Sequence, residues 1–261
     1  MGTYAAPRHV AAATGALAAP EIRALKGVRR LAMLTAYDYP TALALDAAGL
    51  DLVLVGDSLG EVELGYPSTR WVTLDMMRHH VTAVRHGVTR THLVADMPAS
   101  TYRDPEEAVV SARALIEAGA DSVKLEGALV PEVEAMVAAG IPVMGHVGLL
   151  PQTAEERRRH GKTPAEADAI AAGAAALDAA GCYAMVIEAV VPEVARRVTE
   201  AVSCPTIGIA AGAGCDGQVL VSTDLLGLLP DPPSFVRPRV DLAGVIRDVA
   251  REFATEVRHG A

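Results

Sequence analysis

The sequence is poor in aromatic residues and in basic charge, and each shortage excludes a class of partner. Aromatic side chains make up 3% of the 261 residues, too few for the stacking platforms with which proteins bind single-stranded nucleic acid. Lysine and arginine number 23 against 32 aspartates and glutamates, which gives a formal net charge of −9. Because such a field repels polyanions, we expect no nucleic-acid partner and no acidic membrane surface as a partner.

Cysteine and long apolar runs are scarce as well. The three cysteines are widely spaced and odd in number, which does not suit a disulfide framework. The longest stretch without Asp, Glu, Lys or Arg, residues 135–154, contains two prolines and three glycines and is not typical of a membrane span. The alanine-rich segment after Arg8 lacks the leucine-type run of a secretory signal. We therefore expect a cytoplasmic protein without a membrane segment.

What the chain does contain is ample material for a core, arranged in a repeating pattern. Hydrophobic residues make up 51% of the sequence and charged residues 21%, as in globular domains. Short apolar runs alternate with helical stretches, which is typical of repeated βα units. The predicted strands are residues 31–35, 52–55, 92–95, 122–125, 142–145, 183–187, 206–209 and 219–222. Eight such runs predict a closed (β/α)8 barrel.

Capping residues mark the helices between these strands. Asp104 and Thr163 each precede a proline and an acidic first turn, so both are predicted helix N-caps. Ala-Gly pairs that end at Gly49, Gly119, Gly140 and Gly181 are predicted C-caps. No Ser/Gly linker divides the chain. We predict an unpacked N-terminal arm at residues 1–20 and one barrel domain at residues 21–261, with a last amphipathic helix at 240–257.

Polar residues gather at the ends of the predicted strands. In chain order they are Asp57, Asp96, Glu126, His146 and Glu188. Glu126 closes the fourth predicted strand, and the others follow their strands. In a parallel barrel the carboxyl ends of the strands form the active-site mouth. Four acids that face one mouth repel one another unless a cation or shared protons neutralise them.

A ligand set made only of oxygen favours a hard ion such as Mg²⁺. Such an ion can hold a 2-oxo acid through its carboxylate and keto oxygens, which makes the neighbouring C–H acidic and stabilises the enolate. Glu188, which lies two strands beyond the predicted metal-binding acids, is the candidate base. Lys124 and His146 are candidates for positioning the substrate carboxylate.

Six motifs stand in one order with the spacing of barrel strands. They are residues 35–39 (Thr-Ala-Tyr-Asp-Tyr), 55–60 (Val-Gly-Asp-Ser-Leu-Gly), 95–98 (Ala-Asp-Met-Pro), 123–127 (Val-Lys-Leu-Glu-Gly), 145–152 (Gly-His-Val-Gly-Leu-Leu-Pro-Gln) and 216–218 (Asp-Gly-Gln). Together they resemble the ordered motifs of the ketopantoate hydroxymethyltransferase family. The resemblance runs from about residue 31 to residue 227. That family belongs with the phosphoenolpyruvate mutase and isocitrate lyase barrels.

The resemblance implies a (β/α)8 barrel that binds Mg²⁺. It also implies transfer of a hydroxymethyl group from 5,10-methylenetetrahydrofolate to 3-methyl-2-oxobutanoate in pantothenate biosynthesis. By position, Asp57 and Asp96 would bind Mg²⁺ directly and Glu126 through water, and Glu188 would remove the C3 proton. The implied substrate-binding residues are Asp57, Ser58, Asp96, Lys124 and His146. Family members often form decamers, so the resemblance also implies a homo-oligomer.

The chain departs from the family mainly at the wall of the predicted pocket. Tyr66 stands where a histidine is usual, Ala99 where an aromatic is usual, and residues 153–162, with three consecutive arginines, where a glycine-rich segment is expected. Two alternatives stay open: a bulkier 2-oxo acid that fills the space left at Ala99, and an aldehyde as one-carbon donor. The chain lacks the cysteine-bearing loop of the lyases in the wider superfamily, and its complete acidic rim disfavours a non-catalytic barrel. Neither Cys215 nor the arginine run has an assigned role.

Overall fold

Eight short strands pair in parallel and in chain order, and the last closes on the first. The computed structural model describes residues 15–260. The strands are β1 (Leu31–Thr35), β2 (Leu52–Val55), β3 (His92–Asp96), β4 (Ser122–Lys124), β5 (Val143–Gly148), β6 (Ala184–Glu188), β7 (Thr206–Ile209) and β8 (Gly217–Leu220). The predicted (β/α)8 barrel is confirmed.

The described residues contain ten α-helices, and every predicted capping residue lies at or close to the end of one of them. They are α1 (Ala19–Arg23), α2 (Tyr39–Ala47), α3 (Leu59–Val62), α4 (Leu74–Gly87), α5 (Pro105–Glu117), α6 (Val130–Ala138), α7 (Pro164–Ala179), α8 (Pro192–Ala201), α9 (Ser222–Leu225) and α10 (Leu242–His259). Asp104 accepts a hydrogen bond from the backbone of Glu107 at 2.9 Å, and Thr163 accepts one from Glu166 at 3.2 Å. The glycines of the four Ala-Gly pairs all have positive φ, which is the conformation that ends a helix.

Strand alternation divides the buried apolar residues into two layers. Successive side chains of a strand point to opposite faces, so every second residue enters the barrel interior. The interior layer includes Leu31, Met33, Leu52, Leu54, Val94, Met144, Ala184, Val186 and Ile207. The alternate residues, such as Val53, Val55, Val143 and Met185, pack outward against the surrounding helices. This register decides which polar side chains reach the mouth of the barrel.

Two strands differ from their predicted positions by more than one residue. β8 begins at Gly217, two residues before the predicted run, because the strand starts where its backbone approaches β1: a Cβ atom on Gly217 would lie 2.6 Å from the carbonyl oxygen of Leu31. The predicted end of that run, Ser222, instead begins α9. β5 extends to Gly148, so His146 lies inside the strand and does not follow it.

Leu17 and Ala19, near the end of the predicted N-terminal arm, contact the barrel and are not unpacked as the sequence predicts. The ring of His92 donates to the backbone carbonyl of Leu17 at 2.8 Å. Ala19 and Ile22 belong to the interior apolar layer. Residues 1–14 of the predicted arm lie outside the described residues, and the domain boundary at residue 20 stays a prediction.

The chain divides into two compact units, one that ends at Val219 and one that begins at Leu220. The first contains β1–β7 and the start of β8. The second contains α9 and α10, and in it Asp241 caps α10 by accepting a hydrogen bond from Gly244 at 2.8 Å. In residues 15–260 no helix combines the length and the hydropathy that crossing a membrane requires.

We expect Gly148→Ala to lower the free energy of unfolding by about 3–5 kcal/mol. Gly148 has a φ of +101°, and a Cβ atom there would lie 2.3 Å from the carbonyl oxygen of Glu188. Gly140→Ala is the control, since Gly140 has a φ of +77° and open space around it; its loss should be about 1–2 kcal/mol. Urea denaturation measures both. Equal losses would contradict a collision at the end of β5.

Candidate active site

The predicted functional residues meet at the carboxyl ends of β2 to β6. Asp96, Lys124 and Glu188 are the last residues of β3, β4 and β6, and Asp57 and Glu126 lie two residues beyond β2 and β4. We call the following six side chains the rim cluster: Asp57, Asp96, Lys124, Glu126, His146 and Glu188. The members that lie in strands point into the barrel, because side chains two residues apart in a strand share a face. Asp96, for example, lies two residues after Val94, whose side chain is in the interior layer.

A buried ion pair lies at the centre of the rim cluster. Nζ of Lys124 is 2.9 Å from Oδ1 of Asp96, and both side chains are at least 94% buried. Oδ2 of Asp96 accepts a hydrogen bond from the backbone N–H of Asp57 at 3.0 Å. Burial by itself lowers the pKa of a lysine, but the charges of Asp96, Glu126 and Asp57 outweigh it and raise the pKa of Lys124. The ammonium group therefore stays protonated.

Two other acids of the cluster, Asp57 and Glu126, are harder to ionise than ordinary carboxyl groups. Burial and the charge of Asp96 raise the pKa of Asp57, against the opposing effects of Lys124 and Gln152. Burial, with a contribution from Asp57, likewise raises the pKa of Glu126. One ammonium group does not balance three carboxylates in a site shielded from water. The cluster therefore favours uptake of protons or of a cation.

His146 connects the ion pair to the candidate base. Its Nδ1 lies 3.4 Å from Nζ of Lys124, and its Nε2 lies 3.3 Å from Oε2 of Glu188. Burial, reinforced by the charge of Lys124, lowers the pKa of His146, which keeps the ring neutral near pH 7. The side chain of Glu188 is 23% exposed, whereas those of Asp96 and Glu126 are nearly inaccessible. Glu188 is thus the cluster's acid most open to a bound molecule.

Ser58 lies beside the cluster and contacts Tyr37, which is not among the predicted site residues. The hydroxyl groups of Ser58 and Tyr37 are 2.8 Å apart. Burial raises the pKa of Tyr37, so its hydroxyl stays protonated. The carbonyl oxygen of Tyr37 in turn accepts a hydrogen bond from Nδ1 of His80 at 2.7 Å. Tyr37 stands in one of the six motifs, and that position was the signal that could have pointed to it.

Gln152 is a second residue missing from the predicted site. It lies in the loop after β5 and is hydrogen-bonded to both Asp57 and Glu126. The Pro-Gln pair of the fifth motif contains it. A glutamine does not titrate, so a search for acids, bases and metal ligands passes over it.

The arginine run and Cys215 lie outside the rim cluster. Arg157 forms an ion pair with Glu61 at 2.5 Å, and Arg158 forms one with Glu166 at 2.5 Å, so two of the three arginines have acidic partners. Cys215 is buried. Burial raises the pKa of its thiol, which makes it a poor nucleophile.

A metal centre built entirely from side chains is absent from the part of the chain that the structure describes: no three or more His, Cys, Asp or Glu side chains are grouped so that they could hold an ion. Mg²⁺ is commonly bound by one or two carboxylates, with water and substrate oxygens completing its coordination. The assignment of Asp57, Asp96 and Glu126 to a metal therefore stays a prediction.

Comparison with known sequences finds similarity to one enzyme family. The family described as ketopantoate hydroxymethyltransferase matches residues 17–261. The 3-methyl-2-oxobutanoate hydroxymethyltransferase of Oleidesulfovibrio alaskensis is 48% identical over 257 residues, which cover 95% of this chain and 89% of that enzyme. The enzyme of the same name from Thermus thermophilus is 48% identical over 247 residues, which cover 92% of this chain and 94% of that enzyme.

Solved structures support the fold at much lower sequence identity. A 2,3-dimethylmalate lyase, described as a member of the PEP mutase/isocitrate lyase superfamily, matches with a TM-score of 0.62 at 17% identity, over 94% of this chain and 89% of that one. Phosphonopyruvate hydrolase in complex with oxalate and Mg²⁺ matches with a TM-score of 0.62 at 13% identity, over 93% of this chain and 99% of that one. At such identities the likeness concerns the barrel alone.

We expect Lys124→Met to lower the free energy of unfolding by about 3–5 kcal/mol at pH 7.5, because it leaves buried carboxylates without their ammonium partner. The loss should shrink at pH 5.5. Burial and the charge of Asp96 raise the pKa of Asp57 to about 7, so this carboxyl group takes up a proton in the folded state between pH 7.5 and pH 5.5, and a neutral carboxyl group needs no counter-charge. Urea denaturation in the presence of EDTA at both pH values measures the effect.

Lys162→Met is the matched control, because Lys162 is exposed. Its effect should stay within about 0.5 kcal/mol at either pH. If Lys124→Met had the same cost at both pH values, the acids around Lys124 would not be the source of its stabilising effect.

Proposed function

The chain belongs to the ketopantoate hydroxymethyltransferase family, and we propose that it adds a hydroxymethyl group to C3 of 3-methyl-2-oxobutanoate. It is a hydroxymethyltransferase, an enzyme of the one-carbon transferase type. The observation that carries the proposal for its site is the continuous set of contacts from Asp96 through Lys124 and His146 to Glu188. That set brings a fixed positive charge next to a neutral histidine and an accessible carboxylate.

Mg²⁺ is the cofactor that we propose, and the donor atoms of the rim cluster fit it. Three carboxylates share one lysine, so the cluster has an excess of negative charge. Within the described residues, the buried Oδ1 of Asp96 has Nζ of Lys124, 2.9 Å away, as its contact. We assign direct contact with the ion to Asp57 and Asp96, and contact through water to Glu126. When bound, the ion would withdraw charge from the 2-oxo acid and make its C3 hydrogen acidic.

The other residues of the site bind the substrate and move its proton. Lys124 keeps its charge and attracts the carboxylate of the 2-oxo acid, with Ser58 as a further polar contact. The ring of His146 is neutral and can contact the substrate. Because it carries no charge, it forms no ion pair with Glu188, whose carboxylate stays free to accept a proton. Glu188 accepts the C3 proton on its carboxylate and leaves C3 as the nucleophile for the incoming one-carbon unit.

The one-carbon donor that we propose is 5,10-methylenetetrahydrofolate, on the strength of family membership. A bulkier acceptor stays a prediction that depends on Ala99, which is partly buried in the loop after β3. An aldehyde as donor likewise stays a prediction. Both concern the wall of the pocket and leave the roles of the rim cluster unchanged.

We also propose a homo-oligomer, a decamer by family resemblance, located in the cytoplasm. The support for self-association is an apolar stripe on α10, which we call the α10 stripe. Its members are Val245, Ile246, Val249, Phe253 and Val257, and each is more than half exposed. An apolar surface of this kind is typical of an interface with another protein chain.

Glu188→Gln should lower the rate of hydrogen exchange at C3 of 3-methyl-2-oxobutanoate by about 10²–10⁴-fold, because the amide cannot accept the proton. Proton NMR in D₂O with Mg²⁺ present measures that exchange. Binding of Mg²⁺, measured by calorimetry, should be unchanged, since Glu188 is not one of the proposed ligands. Glu193→Gln, at an exposed position in the first turn of α8, is the control. Exchange at the normal rate in Glu188→Gln would assign the base to another residue.

Phe253→Ser should reduce the molar mass of the assembly measured by light scattering after size-exclusion chromatography. The substitution removes the most exposed member of the α10 stripe. Glu252→Ser introduces the same residue at the neighbouring exposed position and should leave the mass unchanged. An unchanged mass for Phe253→Ser would exclude the α10 stripe as an interface.

A further inference from the structure

Gln152 uses all of its polar groups at the base of the rim cluster. Its backbone N–H donates to Oε2 of Glu126 at 3.0 Å. Its side-chain Nε2 donates to Oδ2 of Asp57 at 2.7 Å and to the carbonyl oxygen of Met97 at 2.9 Å. Its Oε1 accepts a hydrogen bond from the hydroxyl of Tyr102. The residue is 94% buried. Through its side chain it contacts Asp57, and through its backbone N–H it contacts Glu126, so one residue links two acids that follow different strands.

Asp57 and Met97 decide which way the amide of Gln152 faces, because each offers it only an oxygen acceptor, and the hydroxyl of Tyr102 completes that orientation. Burial, together with the nearby charge of Glu126, raises the pKa of Tyr102, so its hydroxyl remains a donor. With Oε1 of Gln152 directed to that hydroxyl, both N–H groups of the amide face Asp57 and Met97. The opposite orientation would set the amide oxygen against a carboxylate and a carbonyl oxygen.

The backbone of Gln152 is held independently by Arg70. Nε of Arg70 donates to the carbonyl oxygen of Gln152 at 2.8 Å, and its Nη2 donates to that of Ala154 at 2.6 Å. Arg70 belongs to the short 3-10 helix Thr69–Trp71 between α3 and α4. The loop after β5 is therefore fixed to a segment 82 residues away in the chain, and the position of Gln152 does not depend on its own loop alone.

We propose that Gln152 is a positioning residue that presets Asp57 and Glu126 for a divalent cation, an inference that rests on the proposed function. It fixes one oxygen of each carboxylate with a neutral donor. A neutral donor orients the acids without cancelling the negative charge that attracts the ion, whereas an arginine or lysine in its place would cancel it. Substitution of a residue that hydrogen-bonds a metal-binding side chain typically lowers metal affinity or activity by 10–100-fold.

The decisive variant is Gln152→Met, which has similar volume and keeps the backbone N–H bonded to Glu126. We expect its dissociation constant for Mg²⁺, measured by calorimetry, to rise by about 10–100-fold. High Mg²⁺ concentrations should restore most of kcat, because the catalytic side chains are intact. Gln218→Met is the matched control: Gln218 is exposed and donates only to the carbonyl oxygen of Gly212 among the described contacts.

Tyr102→Phe provides a second variant in case Gln152→Met does not fold. It removes the hydroxyl that donates to Oε1 of Gln152, and we expect about a 3–10-fold weaker affinity for Mg²⁺, at the lower end of such effects. Thermal unfolding in EDTA records the folding of both variants. If a folded variant binds Mg²⁺ within twofold of the unaltered chain, Gln152 has only a structural role. If the unaltered chain does not bind Mg²⁺, the proposed cofactor is wrong, and the two failures are thereby distinguished.

Discussion

The buried ion pair between Lys124 and Asp96 is the interaction on which the site depends. Taking two charges out of water is costly, and a pair of this kind is stable only if its geometry is good and its remaining polar atoms have partners. Here the ammonium group also faces Asp57 and Glu126, whose raised pKa values show that one positive charge does not balance the acids around it. The excess of negative charge makes the cluster unfavourable to bury, and the same excess gives it affinity for a cation.

The barrel interior contains a second polar layer, and the contrast between the two is informative. At the amino ends of the strands, Ser122 lies 2.9 Å from Nε2 of His92 and 2.8 Å from the hydroxyl of Tyr183, and His92 also bonds to Leu17. These neutral groups satisfy one another, as buried polar groups in a stable core do. At the carboxyl ends the polar layer is charged and unbalanced. The amino ends of the strands thus contribute to stability, and the carboxyl ends contain the reactive groups.

After the carboxyl ends of some strands, the backbone adopts left-handed conformations that residues other than glycine rarely adopt. Among the described residues, the non-glycine residues with positive φ are Ser100, Ala189 and Ala210. Each lies in a loop that follows a barrel strand, and Ala189 comes directly after Glu188. Such conformations cost about 1–3 kcal/mol each and persist only where the surrounding structure imposes them. In Ala189 the constraint is visible, because its N–H donates to Ile209 and its carbonyl oxygen accepts from His160. The direction of Glu188 is thus set by two neighbouring segments.

The amino-acid sequence by itself determined the number of strands, most of their bounds to within one residue, the helix caps and the acids at the strand ends, because periodicity and capping act over a few residues. It did not determine the start of β8, where a glycine's close approach to β1 outweighs the apolar pattern. It also did not reveal the packing of Leu17 and Ala19 or the contacts of Gln152, which join residues up to 95 positions apart. Contacts of that length, like the pKa shifts that they produce, exist only after the barrel has closed.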